Sequence, residues 1–258
     1  MKNRITSLFD SKKKNVLSVF FTAGFPSLND TESIACGLEA SGVDMIEIGI
    51  PFSDPIADGP TIQESNKIAL DQGMNVSLLL KQVTALRPLI KMPIVLMGYL
   101  NPVMQYGIEK FCKDAAHAGV DGLILPDLPL EEYLTYYKDL TESLNLSVSF
   151  LISPTTSEKR IRQIDSLSTG FIYAVSSSST TGARTQFSEE QCAYFKLLHE
   201  MKLKHPCLIG FGISNKKTYS QACEYAAGAI VGSSFITTLK ASKDLKSDIP
   251  EFVRSLLS

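Results

Sequence analysis

The sequence has no Cys-x-x-Cys pair, no continuous apolar run of about 18 residues and no excess of basic charge. Each absence removes a class of protein. The five cysteines, Cys36, Cys112, Cys192, Cys207 and Cys223, are odd in number and most sit in apolar helix or strand contexts. They read as reduced, buried thiols and not as a disulfide framework. The three histidines, His117, His199 and His205, make no metal-spaced pair with those cysteines. His117 and His199 fall on expected outer helices. Nothing is long and apolar enough to span a membrane. The start, Met1-Lys2-Asn3-Arg4, leads into a polar amphipathic stretch and not a secretory signal, so a cytoplasmic location is expected. A net charge of −2 implies no basic face and no nucleic-acid partner. The one basic cluster, Lys12-Lys13-Lys14, reads as a solvated helix end.

What is present is a globular balance, 44% apolar and 20% charged over 258 residues. A chain of that length buries roughly 75% of its unfolded surface and needs no covalent staple. Short β-rich runs alternate with amphipathic helical stretches eight times. The strand candidates are Leu17–Thr22, Met45–Gly49, Ile94–Gly98, Gly122–Leu125, Ser147–Leu151, Phe171–Val175, Cys207–Gly210 and Ala229–Gly232. Each is apolar on both parities, as a strand covered on both faces must be.

Helix signals lie between them. Thr155-Thr156-Ser157-Glu158 and Ser188-Glu189-Glu190-Gln191 read as capping boxes, and Ser214 can cap a helix starting near Lys216. Gly42 and Gly119 each stop a helix before the next strand. Gly42-Val43-Asp44-Met45 and Gly119-Val120-Asp121-Gly122 repeat one helix-stop, strand-start device. No linker interrupts the order. Parallel strands with right-handed crossovers wind into an open sheet or close into a barrel, and eight unbroken units favour closure. The expected fold is α/β: one (β/α)8 barrel domain over residues 1–258, led by an extra helix (Ile5–Ser11) and ended by another (Ile249–Leu257).

In such a barrel the chemistry sits at the strand C-terminal ends. Glu47 lies inside the apolar strand Met45-Ile46-Glu47-Ile48-Gly49, where a carboxyl is costly unless used or paired. Burial would raise its pKa towards neutrality and suit it to proton transfer; pairing with a lysine between strand and helix is the alternative. Asp58 follows in Pro51-Phe52-Ser53-Asp54-Pro55-Ile56-Ala57-Asp58-Gly59-Pro60, a loop stiffened by prolines. That loop can hold a carboxylate over the mouth, or be an ordinary Asp-Gly turn. Asp127 reads as a cap or loop brace. Gly210-Phe211-Gly212 and Gly232-Ser233-Ser234 end the last two strands, where missing side chains and a helix N-terminus suit an anion. Gly182 can add a third backbone donor. Ser176-Ser177-Ser178-Ser179-Thr180-Thr181-Gly182 has the small, polar composition of a lid.

The stretch from Glu47 to Gln63, Glu-Ile-Gly-Ile-Pro-Phe-Ser-Asp-Pro-Ile-Ala-Asp-Gly-Pro-Thr-Ile-Gln, closely resembles the signature of tryptophan synthase α-subunits. Phe20-Phe21-Thr22-Ala23-Gly24-Phe25-Pro26, Tyr99-Leu100-Asn101-Pro102, Pro126-Asp127-Leu128-Pro129 and Gly210-Phe211-Gly212-Ile213-Ser214 match in order, so the resemblance covers essentially the whole chain. It implies a lyase that splits indole-3-glycerol phosphate into indole and glyceraldehyde 3-phosphate. Glu47 matches the general acid/base, Asp58 the carboxylate that pairs with the indole N–H, and Tyr173 the tyrosine beside the acid/base. Thr181 matches a lid threonine bonded to the loop aspartate. Gly182, Gly212, Gly232 and Ser233 match phosphate contacts, and Phe20, Met97, Ile124 and Phe211 the apolar indole slot.

The resemblance also implies no cofactor on this chain. It implies a pyridoxal phosphate β-subunit as partner in an α2β2 heterotetramer, faced by Pro51–Pro60 and the Asn101-Pro102 region. One departure stands out: Ser179-Thr180 replaces the Gly-Val usual in the lid. If that glycine takes positive φ, Ser179 adds about 1–2 kcal/mol of strain. The competing readings are another phosphate-binding barrel, such as a sugar-phosphate isomerase or epimerase, and a non-catalytic activator subunit.

Overall fold

The computed structural model describes residues 2–176 and 186–258. Its strands are β1 (Val16–Thr22), β2 (Met45–Gly49), β3 (Ile94–Met97), β4 (Gly122–Ile124), β5 (Ser147–Val148), β6 (Leu151–Ile152), β7 (Ile172–Val175), β8 (Cys207–Gly210) and β9 (Gly228–Val231). All pairings are parallel, in the order β5-β4-β3-β2-β1-β9-β8-β7-β6. The count exceeds the expected eight because the fifth strand is interrupted at Ser149 and Phe150, giving β5 and β6. The interruption does not open the sheet. The Ser149 N–H donates to Leu123 O (3.1 Å) on one side, and the Tyr173 N–H donates to Phe150 O (3.0 Å) on the other. The two ends of the strand order are thus one stretch of chain, and the sheet closes into the (β/α)8 barrel.

Alternation along each strand sorts the apolar residues into two layers. Val16, Met45, Val95, Ile124, Phe171, Tyr173, Leu208 and Ile230 fill the inside of the cylinder. Leu17, Val19, Ile46 and Ile48 point outward, in one cluster with Ile34, Leu38, Leu79, Val83, Phe111 and Phe195 of the surrounding helices. Two apolar layers explain why each strand reads as apolar on both parities.

The leading helix Arg4–Ser11 contributes Ile5 and Phe9 to the inner layer, where it plugs the N-terminal end of the barrel. Gly122 makes room for it: a Cβ there would stand 2.7 Å from Ile5 Cδ1. Asn3 caps this helix in a reciprocal box with Thr6, and its Nδ2 donates to Asp121 O and Ser147 Oγ.

The Ser188–Gln191 capping box forms as expected. Two other caps shift by a residue or two. Ser157, not Thr155, caps Glu158–Leu167 by accepting the Arg160 N–H. Asn215, not Ser214, caps Lys216–Tyr225, because Asn215 and Thr218 bond reciprocally. Gly42 and Gly119 take φ +93° and +91°, angles that cost a β-carbon-bearing residue strain.

The repeated aspartates have one job. The Asp44 N–H donates to Leu17 O (3.0 Å), and Asp44 Oδ2 accepts the Leu17 N–H (2.8 Å). The Asp121 N–H donates to Ile94 O (2.8 Å), and Asp121 Oδ2 accepts the Ile94 N–H (2.9 Å). Each therefore stitches its strand to the preceding one. Lys12 is no merely solvated helix end, since it pairs with Asp44 at 2.6 Å. Arg4 and Arg87 bracket the buried Asp121 at 3.0 and 3.3 Å. Asp121→Ala would strand the half-buried Arg87 and orphan a strand N–H. A loss of about 3–5 kcal/mol is expected, read as a lower urea midpoint with unchanged slope.

Candidate active site

Glu47 sits on β2 with the parity of the inner-layer Met45, while Ile46 and Ile48 point outward. Its side chain is therefore inside the cylinder and wholly buried. Ser18 Oγ, on β1, donates to Glu47 Oε1 at 2.8 Å. Oε2 has no hydrogen-bond partner among the described residues. Burial pushes this carboxyl from 4.5 up to about 8, against the smaller opposing pull of the Ser18 bond. The alternative of pairing with a lysine is not what forms.

Tyr173, on β7, is buried in the same interior. Its phenol is pushed well above the ordinary tyrosine range, first by burial and then by the charges of Glu47 and Asp58. The phenol thus lies within electrostatic reach of both carboxyls. Gly210 is bare because the Tyr173 ring crosses it: a Cβ there would stand 2.4 Å from the Tyr173 hydroxyl.

Asp58 is half-buried on the loop after β2. That loop is braced by turn bonds, Ile56 N–H to Asp54 O (2.9 Å) and Asp58 N–H to Pro55 O (3.0 Å). Gly59 and Pro60 then open the helix Pro60–Asp71. Tyr99, at the C-terminal end of β3, completes the brace. Its hydroxyl donates to Asp58 Oδ2 (3.3 Å) and accepts the Ala57 N–H (3.0 Å). Partial burial raises Asp58 from 3.8 to about 6, with the Tyr99 bond opposing. In the sequence Tyr99 is one residue of the Tyr99-Leu100-Asn101-Pro102 motif, with nothing local to mark its role. Only the fold brings residues 58 and 99 together.

A cavity of about 180 Å³ joins Asp58 and Tyr173 to the glycine turns after β8 and β9. Phe20, Met97, Tyr173, Phe211, Ile230 and Asp58 line one end, and Gly212, Ser214, Gly232, Ser233, Ser234 and Thr237 the other. A smaller lobe of about 50 Å³ continues past Phe20, Met97 and Phe211 to Tyr99 and Pro126. The polar end suits an anion, with no basic side chain among the described residues that line it. Gly232 caps the helix Ser233–Ala241, whose first intrahelical acceptor is Gly232 O, used by the Ile236 N–H (3.0 Å). The Ser233, Ser234 and Phe235 N–H groups precede that bond and carry the positive end of the helix dipole. Gly212 takes φ +75° and Phe211 φ +65°. The strained Phe211 backbone costs about 1–2 kcal/mol and turns its ring onto the Tyr173 edge, with centroids 6.2 Å apart.

Of the residues picked from sequence, Asp58, Tyr173, Phe20, Met97, Phe211, Gly212, Gly232 and Ser233 meet at this cavity. Glu47 and Ile124 do not reach its wall; both are wholly buried in the interior beneath it. For Ile124 the reason is depth: it joins Val95 and Tyr173 in the inner packing. Asp127 is a brace as expected, accepting the Leu100 N–H at the start of helix Leu100–Tyr106. Thr181 and Gly182, with Ser179 and Thr180, lie outside the described residues. Ser176, the last described residue before them, donates from Oγ to Phe211 O (2.7 Å) and from its N–H to Gly210 O (3.0 Å).

Solved structures share the whole architecture. Tryptophan synthase subunit alpha from Legionella pneumophila superposes with a TM-score of 0.88 at 35% identity, over 99% of this chain and 97% of the other. A chain of the tryptophan synthase complex from Pyrococcus furiosus gives 0.86 at 31%, over 95% and 99%. Fold and site together define a barrel enzyme with its pocket at the C-terminal mouth of its strands. The sequence matches narrow this further. The family model for the tryptophan synthase alpha chain matches residues 7–255. The alpha chain of Flavobacterium psychrophilum is 52% identical over 254 residues, and that of Parabacteroides distasonis 50%, each covering 98% of this chain and 99% of the relative. The chain belongs to the tryptophan synthase alpha chain family. It is a carbon–carbon lyase of tryptophan biosynthesis that splits indole-3-glycerol phosphate into indole and glyceraldehyde 3-phosphate. Neither the isomerase or epimerase reading nor the non-catalytic activator is favoured by these matches.

Proposed function

We propose that this cleavage is a retro-aldol reaction run by Glu47 and Asp58, within one barrel domain over residues 1–258. The observation that carries the reading is a wholly buried carboxyl with a pKa of about 8 and one oxygen unpartnered among the described residues, beneath a pocket that ends in an anion cradle. Glu47, protonated at neutral pH, gives its proton to indole C3. The indole becomes an iminium whose positive charge spreads to the ring nitrogen, beside the Asp58 carboxylate. Glu47, now a base, takes the proton from the glycerol hydroxyl next to C3. The C–C bond breaks, its electron pair returns to the indole ring, and the aldehyde forms. One group serves both transfers because its pKa lies near the working pH.

Phe20, Met97 and Phe211 hold the indole, and Gly212, Gly232 and Ser233 the phosphate, which keeps the glycerol in register. Tyr173 stands beside the acid/base. Thr181 and Gly182 extend the lid and the cradle in this reading. Ile124 supports the slot from below. The chemistry as written draws on no metal or cofactor of this chain, and no trio of His, Cys, Asp or Glu among the described residues could hold a metal.

The partner in this reading is a pyridoxal phosphate β-subunit, in an α2β2 assembly. It would dock on Pro51–Pro60 and the Asn101-Pro102 region. Ile56, 89% exposed, and Met104, 58% exposed, are bare apolar side chains on those segments and suit a protein interface. A cytoplasmic location fits, and no described helix is long and apolar enough to cross a membrane.

The pH profile tests the two roles together. Asp58 must be ionised, so kcat/KM falls as pH drops through about 6; Glu47 must hold its proton, so kcat/KM falls as pH rises through about 8. A bell centred near pH 7 is expected. Asp58→Asn should lower kcat/KM about tenfold or more and erase the acid limb alone. Full activity in that variant would remove Asp58 from the mechanism.

A further inference from the structure

Ser18 has no part in the scheme so far, yet it is the only described side chain hydrogen-bonded to Glu47. It is wholly buried, on β1, one parity step from Phe20, which lies level with Glu47 in the parallel register. Its hydroxyl donates to Oε1 at 2.8 Å and leaves Oε2 without a partner. Val16, Met45 and Val95 make the apolar part of that face of the interior. The Tyr173 phenol is the other titratable group within electrostatic reach, but no described side chain other than Ser18 hydrogen-bonds this carboxyl.

We propose that Ser18 is the positioning residue of the reaction, fixing which oxygen of Glu47 carries the travelling proton. This rests on the reading of Glu47 as the acid/base. An oxygen that accepts a hydrogen bond is the poorer site for a proton, so the acid form carries its proton on Oε2. Oε2 is also the oxygen with no partner among the described residues, the one left to meet indole C3 and then the glycerol hydroxyl. The Ser18 bond survives both proton states, because Oε1 is an acceptor in the acid and in the carboxylate. It is stronger to the carboxylate, which agrees with its downward pull on a carboxyl that burial raises. The side chain thus keeps one orientation while the proton leaves and returns.

The experiment compares the wild type, Ser18→Ala, Ser18→Thr and Glu47→Gln by pH-dependent kcat and KM for indole release. The Glu47 carboxyl is titrated in parallel by ¹³C NMR. In Ser18→Ala the carboxyl midpoint should rise by about one pH unit, since a donor to the charged form is gone. The alkaline limb of kcat should rise with it. kcat should fall about tenfold with KM within twofold, because orientation and not substrate contact is lost. Ser18→Thr keeps the hydroxyl and should restore both readouts. The proposal is overturned if the midpoint stays put in Ser18→Ala, if it moves while kcat and its limb do not, or if the loss lies in KM or melting temperature alone. A fully active Glu47→Gln would instead bring down the acid/base reading on which it stands.

Discussion

Glu47→Gln should cut indole release at least about 100-fold, with the fold intact. A positioned acid/base contributes about 10²–10⁴, and Glu47 is asked to serve two transfers in one turnover. Glutamine keeps the shape and can still accept the Ser18 bond at its amide oxygen, so packing is preserved. What vanishes is the exchangeable proton. The loss belongs in kcat, because Glu47 is asked for protons in the chemical step and not for binding. Phosphate competition for the Gly212–Gly232 end of the cavity should be unchanged. Normal cleavage by this variant would end the proposed mechanism, whatever the family match.

The same substitution should stabilise the protein at alkaline pH, and by a large amount. Unfolded, the Glu47 carboxyl titrates near 4.5; folded, near about 8. Between those values the native state holds a proton that the unfolded state has released. Stability contributed by the protonated native acid is present in full below 4.5 and declines as pH rises, levelling off once the native carboxyl also ionises. At about 1.36 kcal/mol per unit, the decline from this one group is on the order of 4 kcal/mol. Glutamine does not titrate. The wild type should therefore lose ground to Glu47→Gln by that amount between pH 5 and pH 9, measured by urea unfolding. Any constant cost of burying the amide cancels in the comparison. A stability difference that is flat with pH would mean that the carboxyl is not held as an acid. The two results together describe one trade: the burial that makes Glu47 a proton donor at neutral pH also makes it a liability to the fold.

Much of the barrel could be read residue by residue because its signals are local. The strand runs, the Ser188–Gln191 box and the helix stops at Gly42 and Gly119 each depend on neighbours within a few positions. The cap shifts from Thr155 to Ser157 and from Ser214 to Asn215 are errors of the same local kind: several adjacent hydroxyl and amide residues could each cap, and geometry chose among them. The break at Ser149 and Phe150 was not legible, because one strand feeding two neighbours shows no change in composition. Nor was the depth of Ile124, since a strand apolar on both parities does not say how far up the cylinder each side chain sits.

The amino-acid order by itself determined the alternation, the glycines that clear the last two strand ends and the proline-stiffened run from Glu47 to Gln63, and through that run the family. Closure of the sheet decided the rest. It put Ser18 on Glu47, Tyr99 on Asp58 and the Tyr173 ring across Gly210, pairs separated by tens of residues whose meeting depends on strand register and helix packing. It also decided that Glu47 faces inward and dry, and it is that dryness, a property of the assembled interior and of no residue in it, that turns an ordinary carboxyl into an acid at neutral pH.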